Sequence, residues 1–180
     1  MMEHPHQLYA VEFTEVDQNR LVGFSCGDEP WSRHVAEWIR GSDVLDSIKR
    51  GTRVWLFETE QEEIIGFGSV GTSEWHWPPP RGPKATVVLI PMLGIDIRFQ
   101  GMPPDPVWRY SRQIMAHLIA EGQRVARDWA GAPQSKPQWL VLRVHHENNR
   151  AIRFYETCGF ELIPEALRRD HLPMKLWVGD

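Results

Sequence analysis

The sequence predicts a mixed α/β domain, a sheet with helices on its faces, from three observations. Apolar, β-rich runs stand at 52–59, 63–77, 85–99 and 139–144. Between and around them, residues 31–48 and 107–130 carry helical spacing. At 180 residues, with 42% hydrophobic and 24% charged residues, the chain is long enough for one substantial core. No internal repeat or low-complexity linker divides it, so 1–180 reads as a single domain.

A first strand is expected over 8–14. The helical stretch 31–48 is interrupted near Gly41-Ser42, where Ser42 is placed to cap a second short helix. Gly51 precedes TRVWLFET, and a Glu-rich turn joins that run to EIIGFGSVGTSEWHW, which predicts an antiparallel hairpin. Three consecutive prolines in WHWPPPRGPK exclude helix and central strand, so an exposed loop is expected there. The run ATVVLIPMLGIDIRF holds Pro91 and Gly94, and a strand bent at those residues is expected.

Over 107–130, Ile114, Met115, Leu118, Ile119, Gly122, Val125, Ala126 and Trp129 form one apolar helical face. WLVLRV reads as a buried strand, 148–157 as a helix ended by Gly159, and GFELI and LPMKLWV as closing strands. The expected order is β-α-α-β-β-β-α-β-α-β-β.

Composition excludes several classes. Two cysteines are too few for a disulfide framework, and no CxxC zinc spacing occurs. No apolar run approaches the roughly 20 residues that span a bilayer, and MMEHPHQLYAVEF lacks the pattern of a signal peptide, so cytoplasm is expected. The net charge of -4 argues against a dedicated nucleic-acid binder, although it leaves room for a local basic patch. Nine tryptophans are many for this length, and some are candidates to line a site.

Directly after WLVLRV stand Asn148, Ala151 three residues on, Tyr155 seven residues on, and Gly159-Phe160. Seven residues are close to two helical turns, so Asn148 and Tyr155 share a face. An Asn amide bonds both donors and acceptors, and a phenol near pKa 10 is able to protonate a departing thiolate. Taken alone, the same residues also read as a helix cap and a core ring. The full pattern resembles the C-terminal motif of the GNAT N-acetyltransferases. That resemblance implies a central mixed, mostly antiparallel twisted sheet of about seven strands flanked by helices and splayed between strands four and five. It implies acetyl-CoA as cosubstrate, no metal, and direct transfer of an acetyl group, through a ternary complex, to a primary amine of a small molecule or protein.

On the bent strand, Leu93, Gly94 and Ile95 match the family's strand end, whose backbone contacts the pantetheine arm. Gln100-Gly101 is similar to the start of its glycine-rich pyrophosphate loop, which relies on loop amides and a helix N-terminus. There the sequence departs: MPPDPVW inserts about six residues, and Arg109, Ser111 and Arg112 stand where glycines should open the helix. These three are candidate phosphate contacts, against the reading of a solvated Pro-rich loop with exposed arginines. Asn148 completes the implied cofactor site, and Tyr155 is the implied general acid.

A general base is harder to place. Some family members carry Glu five residues ahead of the motif Asn, where this chain has Arg143. Glu74, His76 and His145 are substitutes, beside a water relay or no dedicated base. Phe24-Ser25-Cys26-Gly27 is similar to a segment of GNAT-type toxins that acetylate aminoacyl-tRNA, and this gives the alternative acceptor. A degenerate CoA-binding or interaction module is the other alternative. The edge strands at the C-terminus leave a homodimer open, and the sequence does not fix the oligomeric state.

Overall fold

A computed structural model describes residues 6–107, 109–166 and 170–179. Trp108, in the expected insertion, lies outside the described residues. The elements are β1 (Tyr9–Glu12), α1 (Pro30–Arg40), α2 (Asp43–Lys49), β2 (Arg53–Glu58), β3 (Ile64–His76), β4 (Lys84–Ile90), β5 (Leu93–Ile95), α3 (Tyr110–Arg127), β6 (Trp139–His145), α4 (Asn149–Thr157), β7 (Glu161–Leu162) and β8 (His171–Trp177). Eight strands stand against the expected seven or so, because 85–99 is two strands separated at Pro91-Met92. Helix α3 starts at Tyr110 rather than 107, after the Pro-rich stretch has ended.

The chain forms two compact units. The first holds Met1–Ser69 and Met92–Leu118, the second Val70–Pro91 and Ile119–Asp180. Strand β3 and helix α3 each contribute residues to both.

In the first unit the strand order is β1-β2-β3, with β5 antiparallel on β3 through Gly66↔Ile95, Phe67↔Gly94 and Gly68↔Leu93. Helix α1 begins with Pro30, preset for a first helical turn, and closes where the Gly41 N–H donates to the Glu37 carbonyl at 2.9 Å. Its Trp38 stacks on Phe67 with ring centroids 5.9 Å apart, and Phe24 meets the same ring edge-on at 5.8 Å. Gly68 lets α3 approach: a Cβ there would stand 2.8 Å from Leu118 Cδ1. The helix face foreseen from spacing is the packed one, with Ile114, Met115 and Leu118 all fully buried.

In the second unit the order is β3-β4-β6-β8-β7. The β4–β6 pair is parallel, Val88↔Leu140 to Ile90↔Leu142, and the other pairs in this unit are antiparallel. A parallel pair requires a crossover, which the intervening segment with α3 supplies. Val87, Val141 and Ile163 form a small core with Trp75, Trp77 and Trp139 against it. The stretch expected as an exposed loop is therefore partly packed: Trp77 lies 5.4 Å from Trp139, centroid to centroid. The prolines exclude regular structure there, as expected, while the tryptophans tether the hairpin end to the sheet.

Candidate functional site

The bent strand that continues into the first unit is built around a break. Pro91 has no N–H to give the ladder. At the next residue Ser69, with 0% exposure, mends the pairing: its Oγ accepts the Met92 N–H at 3.0 Å and donates to the Met92 carbonyl at 2.9 Å, while its own N–H donates to the same carbonyl at 3.0 Å. Beyond the break the Asp96 N–H donates to Ile65 O at 2.9 Å. Antiparallel pairing alternates, so Met92, Gly94 and Asp96 direct their backbone groups to β3, and Leu93 and Ile95 direct theirs to the opposite edge. Gly94 thus turns its amide inward, and its missing side chain matters for packing: a Cβ would stand 2.7 Å from Cys26 Sγ and 2.9 Å from Val35 Cγ1.

Ile95 is also engaged. Its carbonyl accepts from Gln100 Nε2 at 3.2 Å, and its backbone amide bonds the Cys26 sulfur. Burial, with the Asp96 charge adding, pushes the Cys26 thiol up to about 12, so it is an inert packed thiol. Leu93 is left with its backbone facing the strand's outer edge.

The loop that follows is stitched to Phe24-Ser25-Cys26-Gly27. The Ile97 N–H donates to the Ser25 carbonyl at 2.7 Å, and Gln100 Nε2 donates to the Cys26 carbonyl at 2.8 Å. Asp96, 1% exposed, caps the short turn over 97–99, accepting from the Arg98 N–H at 3.0 Å and Arg98 Nε at 2.9 Å. Gln100 is thereby a brace between two backbone segments. Gly101 has φ +82°, a left-handed turn that favours glycine. At the start of α3 the Tyr110 N–H donates to the Met102 carbonyl, and the Arg112 and Gln113 amides donate to the Arg109 carbonyl. Arg109 and Arg112 are exposed, and Ser111 is half-buried.

The second unit carries the other candidates. Asn148 caps α4, its Oδ1 accepting the Ala151 N–H at 3.1 Å. Tyr155 lies two turns on, between Phe154 at 5.6 Å and Phe160 at 6.1 Å. The residue as a whole is half-buried, yet burial around its phenol raises that pKa above the ordinary tyrosine value, and the nearby Cys158 adds to the rise. The phenol therefore holds its proton through the neutral range. Gly159, φ +90°, ends the helix in the left-handed region that glycine tolerates.

Each candidate base has a partner. Glu74 pairs with Lys84 at 3.3 Å, and His76 Nδ1 donates to the Gly82 carbonyl at 2.7 Å. His145 accepts the Glu147 N–H at Nδ1 and stacks against His146 at 4.7 Å. Arg143 lies over the Trp75 ring at 4.8 Å. Among the described residues no cluster of His, Cys, Asp or Glu is arranged to hold a metal ion, and no helix is long and apolar enough to cross a membrane. Sequence reading missed Ser69 and the bracing role of Gln100. The available signal for Ser69 was a small hydroxyl residue in a strand whose neighbour carries a proline.

No family model and no curated protein matches the chain. Solved structures do. The AtaT toxin in complex with acetyl-methionyl-tRNAfMet is 16% identical with a TM-score of 0.65, and the match covers 95% of each chain. A tyrosine-to-phenylalanine variant of AtaT, bound to acetyl-CoA and the C-terminus of the antitoxin AtaR, is 14% identical with a TM-score of 0.67 over 96% of this chain and 94% of that one. A tyrosine-to-phenylalanine variant of KacT is 14% identical with a TM-score of 0.69 over 96% and 95%. The chain has the GNAT fold. In the GNAT fold of this chain, β4 and β5 are the two pieces of the bent strand, and β6 with α4 is the strand–helix unit that bears Asn148 and Tyr155.

Proposed function

We propose that the chain is an acetyl-CoA-dependent N-acetyltransferase. The observation that carries this reading is geometric: Tyr155 stands two turns along a helix that follows β6 and is capped by Asn148, and its phenol, like any tyrosine's, is protonated at neutral pH. The residues present fit the cosubstrate. The outer edge of β5 offers the Leu93 N–H and carbonyl to an extended pantetheine arm, as an added strand would use them. The exposed Arg109 and Arg112, with the Ser111 hydroxyl, suit a pyrophosphate in place of the missing glycines. The Asn148 amide nitrogen is suited to a pantetheine carbonyl.

Acetyl-CoA supplies the acetyl thioester. The Leu93 N–H donates to the thioester carbonyl oxygen as negative charge gathers there. Tyr155 Oη hands its proton to the departing sulfur. The amine's proton leaves through water or with no dedicated base.

Calorimetric titration with acetyl-CoA, followed by thiol-release assays over a panel of amines, tests the reading. Micromolar binding together with amine-dependent CoA release is expected. Absence of binding would sink it.

A second reading places the amine on an aminoacyl-tRNA. The two AtaT structures described above and this chain cover one another over at least 94%, and one of them carries acetyl-methionyl-tRNA. The segment Phe24–Gly27, similar to a toxin segment, runs beside β5, bonded to Ile97 and Gln100. Arrested growth on expression and acetylated aminoacyl-tRNA in the product are expected. Normal growth with unmodified aminoacyl-tRNA would return the acceptor to small molecules or proteins.

A further inference from the structure

Strand alternation in the second unit separates two faces. Leu140 points to the face that α3 covers, where Gly122 leaves room for it: a Cβ there would stand 3.1 Å from Leu140 Cδ1. Trp139, one residue earlier, points to the other face, as do Val141, Arg143 and their β8 partners Trp177 and Lys175. The end of the β3–β4 hairpin reaches over this second face. Its Trp75 receives the Arg143 guanidinium at 4.8 Å, and its Trp77 packs on Trp139.

Lys175 Nζ sits 4.3 Å from the Trp139 ring centre and 5.6 Å from that of Trp77. Trp177 meets Trp139 edge-on at 4.9 Å and remains 47% exposed. Four tryptophans and two cations thus form one patch on a chain whose net charge is -4.

We infer that this patch docks a single-stranded segment of RNA. The inference rests on the second reading above, in which the acetylated amine is carried by RNA. The exposed Trp177 indole and Arg143 guanidinium offer planes that stack on any base, backed by the partly buried Trp75, Trp77 and Trp139, and this interaction is sequence-tolerant. Arg143 and Lys175, held in place over rings, meet the phosphates between stacked bases. Glu74, which alternation turns to the opposite side of the hairpin from Trp75, pairs with Lys84 at 3.3 Å. Glu161, the cross-strand partner of Lys175, is the opposing charge at the rim. A nucleic-acid occupant explains why rings and cations are interleaved. A purely apolar partner would need only the rings, and an acidic peptide only the cations.

The test is fluorescence anisotropy of a labelled single-stranded RNA of roughly 12 nucleotides, a length within the site sizes of such platforms. It is run at two salt concentrations, with tryptophan quenching and acetyl-CoA titration in parallel. Wild type is expected to bind with quenching. The double variant Arg143→Ala, Lys175→Ala is expected to lose about tenfold in affinity, with the salt slope reduced by roughly one to two. Trp177→Ala, at an exposed position, reduces both affinity and quenching, and Glu161→Gln tightens binding.

Acetyl-CoA affinity stays unchanged in all of them. Intact acetyl-CoA binding with no RNA binding by wild type overturns the docking surface and leaves the acetyltransferase reading standing. Loss of acetyl-CoA binding by wild type overturns that reading instead. Equal affinity for polyglutamate without quenching, or a changed oligomeric state in the double variant with unchanged RNA affinity, assigns the patch to an acidic peptide or a second copy and overturns the inference.

Discussion

Asp17, Ser69 and Asp96 are the buried polar side chains among the described residues, and all three stand in the first unit. Each commits its oxygens to backbone or to a neighbouring side chain: Asp17 to Thr14, Ser69 to Met92, Asp96 to Arg98. In the second unit, Arg143 and Lys175 lie over tryptophan rings, and the Tyr155 phenol is packed between Phe154 and Phe160 on α4. The difference teaches a division of labour. The first unit is a frame in which side chains hold backbone in place, since an unpaired buried amide is costly. The second unit carries Tyr155, the proton donor of the proposed reaction, and the tryptophan patch of the proposed docking surface.

The largest test of that contrast is Tyr155→Phe, which removes a proton donor and little volume. Turnover is expected to fall about 100-fold, with the acetyl-CoA dissociation constant within threefold of wild type. Unchanged turnover across the pH range would make Tyr155 a packing residue and erase the chemical half of the contrast. Gly94→Ala probes the frame. The new methyl meets Cys26, Phe67 and Val35 at under 3 Å, and urea unfolding should show a loss of about 1–3 kcal/mol. Wild-type stability would mean the β5–α1 contact yields more easily than its geometry implies.

The two cysteines sharpen the contrast further. Cys26 is buried and Cys158 half-buried, so a thiol reagent should label Cys158 first. The folded Cys26 pKa is raised, so its contribution to stability is present below the unfolded value of about 8.5 and is lost as pH rises toward about 12. Between pH 8 and 10 wild type should lose about 1–2 kcal/mol that Cys26→Ala does not lose. Parallel pH profiles for the two proteins would remove that coupling.

The smallest effect separates two roles of one residue. Asn148→Asp keeps the cap on Ala151 while Asn148→Ala loses it, at about 1 kcal/mol of stability. Both lose the amide nitrogen, so both should weaken acetyl-CoA binding. A weakened dissociation constant in the Ala variant alone would reduce Asn148 to a cap.

Much of this was legible in the sequence. Hydrophobic period placed α3 on Ile114, Met115 and Leu118, and the Asn–Ala–Tyr–Gly-Phe spacing placed α4 after β6. Prolines at 78–80 excluded regular structure. These signals are local, carried by residues within one or two turns of each other. The strand 85–99 was foreseen as bent, and Pro91 is where it divides, but a missing N–H does not say which group replaces it.

What the sequence by itself determined is therefore the order and type of elements, and the helix on which Asn148 and Tyr155 stand. Helical and strand periods, caps and turn glycines are properties of contiguous residues. Only the tertiary structure decided that Ser69 mends the gap at Met92, that Gly94 turns its amide to β3 and leaves Leu93 outward, and that Trp75 and Trp77 come to lie against Arg143, Trp139 and Lys175. Each of those joins residues far apart in the chain. Register between strands and the curl of a hairpin arise from packing and from pairing every buried backbone group, and no single segment encodes either alone.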